Sequence, residues 1–85
     1  MKVKIADTYV YKLVRNGQIV YIGITNDLER REQEHREDKQ FDEMQVIKGP
    51  CTREEAEISE TTQLDIFTIF HNNCLPEYNQ TCNGK

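Results

Sequence analysis

Asn16-Gly17 stands between two runs rich in valine, isoleucine and tyrosine, residues 9–14 and 19–24. Both residues of this dipeptide tolerate positive φ, so they can close the two-residue turn that joins antiparallel strands. A β-hairpin is therefore the first unit of the fold. Asn26 or Asp27 then offers a helix cap, and Asn26 with Glu29 three residues on has the spacing of a capping box. A helix is predicted over 28–37 and a short third strand over 44–47, closed by Lys48-Gly49-Pro50. Thr52 and Glu55 form a second capping box, which opens a main helix reaching about His71.

The predicted order, β-β-α-β-α, implies an α/β (α+β) fold: a small three-stranded antiparallel or mixed sheet flanked by helices. One domain spans residues 1–85, with its core over about 8–79 and a loose polar tail at 80–85. The net charge of -4 excludes coating of nucleic acid by bulk charge, yet leaves room for a local basic face. The N-terminal MKVKIAD lacks the apolar run of a signal peptide or membrane span, so the chain reads as cytoplasmic with no membrane partner. Cys51, Cys74 and Cys82 lack CxxC spacing, and His71, Cys74 and Cys82 offer only three of the four ligands a structural zinc site needs.

Both helices break the usual packing rule. At about 100° per residue, Ala56, Leu64, Phe67 and Phe70 form a core-facing arc on the main helix, and Glu60 falls inside it. A carboxylate placed there must reach the rim, pair with a cation or bind a metal. From 28 to 40 the first helix has Leu28 as its only apolar residue. Leu28, Arg31 and His35 share one side, so Arg31 and His35 are expected to point inward toward an anion, or else to belong to a solvated charged face. Tyr9 and Tyr11 have equal strand parity, and Tyr21 is expected beside one of them across the hairpin.

In order along the chain, these residues resemble the GIY-YIG nuclease family over about 9–79. Tyr9-Val10-Tyr11 matches its first motif, with Tyr9 where the family has glycine, and Tyr21-Ile22-Gly23 matches the second. Thr25, Leu28, Arg31 and His35 follow at the family's spacing, then Glu60, then Pro76-Glu77-Tyr78-Asn79 as a closing motif. The resemblance implies a metal-dependent DNA endonuclease, or nickase, with Glu60 holding Mg²⁺ or Mn²⁺. Arg31 would clamp the phosphate, and Tyr11 would activate water with Tyr21 and His35 beside it. Which tyrosine takes the proton stays open. Asn79 would hold the glutamate end or the phosphate in register, and Gly23 would permit close backbone approach.

Lys12, Arg15, Arg30, Arg36 and Lys39 are candidates to track the DNA backbone, or else solubilising charges. The implied partner is DNA, double-stranded or branched. No recognition element is visible, so selectivity falls to DNA structure, a homodimer or a targeting protein. The alternative is a catalytically weak module of the same fold that binds nucleic acid or a protein.

Overall fold

The structure, a computed structural model, describes residues 5–79. Its elements are β1 (Thr8–Arg15), β2 (Gln18–Thr25), α1 (Leu28–Asp38), β3 (Glu43–Cys51), α2 (Arg53–Phe70) and a closing 3-10 turn (Glu77–Asn79). The strands form one antiparallel sheet in the order β2-β1-β3, the predicted α+β arrangement. Asn16 and Gly17 take φ of 55° and 77°, and Arg15 pairs with Gln18, which closes the expected hairpin.

A β-bulge in this hairpin sets up the site. Leu13 lies opposite Tyr21 and Val14 opposite Ile19, which leaves Val20 as the extra residue. Val20 therefore packs with Tyr21 in the cluster of Tyr11, Leu13 and Phe41, although strict alternation would send it to the other face. Ile19 and Ile22 join Val10, Cys51 and Ala56 in the second cluster, beneath α2. The first cluster is covered by Leu28 of α1, Met44 of β3 and Tyr78.

Several details differ from the sequence reading. Asp27 caps α1, its carboxylate accepting from Arg30 N at 3.1 Å, so the Asn26/Glu29 box is not the cap. Thr25 competes for that corner: its hydroxyl accepts from Asp27 N and donates to Asp27 O, and this turn directs the chain from strand to helix. β3 runs on through Gly49 and a cis Pro50 to Cys51 rather than ending at Ile47. As an edge strand it tolerates a residue without an N–H.

The Thr52/Glu55 capping box is present as expected. On α2, Ala56 is fully buried and Leu64 packs behind it, but Phe70 is 78% exposed. Phe70 falls about 80° off the middle of the arc that Ala56, Glu60, Leu64 and Phe67 define, which carries it past the edge of the sheet contact. No helix among the described residues is long and apolar enough to cross a membrane. The tail at 80–85, with Cys82, lies outside the described residues. Among those described, no three His, Cys, Asp or Glu side chains gather as a metal site, and His71 instead stacks on Phe67 at 3.7 Å.

Candidate active site

Tyr11 is central in the middle strand and only 1% exposed. Its hydroxyl and Nε2 of buried His35 are hydrogen-bonded at 2.7 Å, joining β1 to α1. Tyr21 completes an aromatic triangle, its ring centroid 4.9 Å from His35 and 6.0 Å from Tyr11. Opposite Tyr11 in the register is Gly23. A Cβ there would sit 2.6 Å from Tyr21 Cε2 and 2.8 Å from the Tyr11 hydroxyl oxygen. Only a residue without a side chain lets both phenols meet over this strand.

Charge is arranged unevenly around the phenol. Burial pushes the Tyr11 pKa far above the ordinary tyrosine value; Tyr21 and Glu60 add to this, and Arg31 pulls against it. His35 is shifted the other way: burial lowers it first, then Lys39 and Arg31, against Asp38 and Glu34. Phenol and imidazole are therefore both held neutral at ordinary pH.

Arg31 stands at the rim rather than pointing fully inward. Its side chain is 44% exposed and pairs loosely with Glu34 at 3.6 Å. The reason is length: a guanidinium at that position reaches past the aromatic cluster into water. Glu60 is half-buried between Ala56 and Leu64 along α2. Its pKa is raised by burial first and by Glu57, with Arg53 opposing. Among the described residues no hydrogen bond or ion pair reaches its carboxylate.

Asn79 bonds to neither Arg31 nor Glu60; it clasps the backbone instead. Its Oδ1 accepts from Ile22 N at 2.9 Å and its Nδ2 donates to Ile22 O at 3.0 Å. β2 is an edge strand, so this side-chain amide stands in for the missing neighbour between Tyr21 and Gly23.

Residues 7–73, most of the 85-residue chain, match the family model of the GIY-YIG catalytic domain. The chain belongs to the GIY-YIG family. No curated protein and no solved structure gives a significant match. The matched span carries Tyr9, Tyr11, Tyr21, Gly23, Arg31, His35 and Glu60. GIY-YIG domains are endonucleases that hydrolyse phosphodiester bonds, generally with a divalent metal.

The Glu60 carboxylate fits such a cation. It is a hard oxygen ligand, half-buried, with no protein cation bonded to it among the described residues. Magnesium keeps several waters and needs few carboxylates, so the absence of a denser acidic cluster is compatible with that ion.

The basic residues of this GIY-YIG domain are mostly engaged internally. Arg15 binds Glu77, the Tyr78 hydroxyl and Gln40 O. Arg30 pairs with Glu34, and Arg36 pairs with Glu32 and stacks 4.1 Å from the Phe41 ring centroid while donating to Phe41 O. Lys39 is 16% exposed and pairs with Asp38. Lys12 alternates with Tyr11 along β1 and so belongs to the α2 side of the sheet. The Tyr9 ring covers Gly49, where a Cβ would lie 2.7 Å from Tyr9 Cδ2. Sequence reasoning missed Thr25 as a helix-directing turn and Tyr78 as a staple; the only signal for either was its place in a motif.

Proposed function

We propose that this domain is a DNA endonuclease that nicks duplex or branched DNA, with Mg²⁺, or Mn²⁺ in its place, held by Glu60. The observation that carries the reading is the buried 2.7 Å Tyr11–His35 pair, with Arg31 and Glu60 both acting electrostatically on the phenol.

In-line hydrolysis makes a bond from water oxygen to phosphorus and breaks the bond to the 3′ oxygen. A phenol held neutral is a poor base alone, but coupled transfer removes the difficulty. The Tyr11 oxygen takes a proton from the attacking water as its own proton passes to Nε2 of His35. Arg31, free at the rim to swing away from Glu34, offers its planar fork to the phosphoryl oxygens. A divalent cation held by Glu60 would supply Lewis-acid polarisation of the phosphate and compensation of charge on the leaving oxygen. Tyr21 and Gly23 shape the floor, and Asn79 keeps that strand in place.

A second reading is favoured by one observation: Arg15, Arg30 and Arg36 have internal acidic partners, so little free positive charge remains among the described residues to hold DNA. On that reading the domain is a weak catalyst that binds nucleic acid or a protein partner.

The test is nicking of supercoiled plasmid and of branched DNA with Mg²⁺, Mn²⁺ or chelator, with Glu60→Ala purified in parallel. Metal-dependent nicking that the variant lacks is the expected result. Folded protein that cuts neither substrate with either metal would overturn the first reading in favour of the second.

A further inference from the structure

Lys39 follows α1 directly, and its backbone N–H donates to His35 O at 2.8 Å, so the ammonium starts one helical turn beyond the imidazole. Its Nζ lies 5.3 Å from the Tyr21 ring centroid and 5.7 Å from that of Tyr78. Both distances are within cation–π range, and a side chain 16% exposed is shielded enough for that attraction to count. The Tyr78 hydroxyl is itself anchored, accepting from Gln40 N and from Arg15. One ammonium thus ties the C-terminal turn, the second-motif tyrosine and the helix bearing His35.

We propose that Lys39 is a positioning residue of the Tyr11–His35 pair, held over the Tyr21 and Tyr78 rings so that it fixes Tyr21 against His35 and sets a positive charge one helical turn beyond the imidazole. This rests on the proposed nuclease reading only for its catalytic consequence. It differs from a phosphate-tracking role, because a lysine enclosed by two rings and bonded to Asp38 is not presented to a DNA backbone.

The groups facing His35 are Tyr11 from β1, Tyr21 from β2, Arg31, Glu34 and Asp38 from α1, and Lys39 itself. Burial holds Tyr11 uncharged, Arg31 is at the rim, and the two carboxylates act in the opposite sense. Lys39 is therefore the charge whose removal should be felt most.

The experiment follows the His35 imidazole Cε1–H through a pH titration by NMR, separated from His71 by a His71→Gln background. Lys39→Met keeps the stem and removes the charge, Lys39→Gln guards against repacking by the methionine, and Lys39→Arg keeps the charge. The expected result is an upward shift of the His35 midpoint in both neutral variants and none in Lys39→Arg. The acid limb of the cleavage rate should move up with it, so that cleavage at mildly acidic pH falls several-fold. Midpoints in both neutral variants that coincide with the parent overturn the proposal. A shifted midpoint in a protein that never cleaves supports the Lys39 assignment and instead overturns the nuclease reading.

Discussion

The Tyr11 hydroxyl and His35 Nε2 meet at 2.7 Å inside the protein, and their surroundings raise the pKa of one and lower that of the other. A pair prepared in this way stores no charge at rest and can move a proton in one direction when a substrate arrives. Removing only the hydroxyl tests it. Tyr11→Phe should keep the fold, cost about 1 kcal/mol for the lost hydrogen bond, and slow cleavage by about 10²- to 10⁴-fold. Single-turnover cleavage beside urea denaturation measures both, and cleavage at the parent rate would show that Tyr11 is not the base.

The pH dependence follows from the same two shifts. His35 has a lowered folded pKa, so its stability contribution is intact above the unfolded value of about 6.5 and is lost as pH falls through the folded one. Tyr11 has a raised folded pKa, so stability is lost as pH rises beyond about 10, where the unfolded chain releases the proton first. Cleavage should therefore hold its plateau below the ordinary histidine range. Phenol absorbance should also show one tyrosine that does not ionise before alkaline unfolding; full titration of all tyrosines in folded protein would contradict this.

On the proposed nuclease reading, Glu60 trades stability for function. Its raised pKa means that the ionised form is disfavoured in the fold, a penalty absent in acid and complete above the folded value. Glu60→Gln should therefore melt higher than the parent at pH 8 while losing about 10²- to 10³-fold in activity. Mg²⁺ should raise the melting temperature of the parent and leave Glu60→Gln unchanged. Equal stabilisation of both proteins would place the cation elsewhere.

The legible parts of this chain were those set by local chemistry. Asn16-Gly17 forces the turn, the Thr52/Glu55 box starts α2, and the poverty of apolar residues in α1 pointed to His35 facing inward. Contributions that depend on register were hidden. No pattern of residue types announces that Val20 is bulged, and that one insertion is what brings Tyr21 to the face of Tyr11. Charge engagement was hidden for a different reason. Arg15 meets Glu77 across 62 positions, and Lys39 meets Tyr21 and Tyr78 only after folding, so composition could not separate these from free surface cations.

Gly23→Ala probes the register directly. The added Cβ would fall 2.6 Å from Tyr21 and 2.8 Å from the Tyr11 oxygen, so a ring must move. Overpacking of this kind costs about 1–3 kcal/mol, and here it should also part Tyr11 from His35 and abolish measurable cleavage. Gly17→Ala is the control: nothing lies within 4 Å, and its cost is only that of holding φ at 77°. Its cleavage should match the parent under conditions where both are folded; equal loss of activity in the two variants would deny Gly23 a special role.

Asn79 acts on the site through Ile22, and the two hydrogen bonds of its amide make that action separable from chemistry. Asn79→Ala leaves the edge of β2 without its surrogate neighbour, at a cost of about 1–3 kcal/mol for the groups left unpaired. Asn79→Asp is the sharper variant, because a carboxylate can still accept from Ile22 N but turns an acceptor toward Ile22 O, where a donor is needed. If the residue only positions the strand, the Ile22 amide should exchange faster with solvent in both variants, and kcat should fall with KM nearly unchanged. A side chain that gripped the phosphate would instead raise KM and leave exchange at Ile22 as it was.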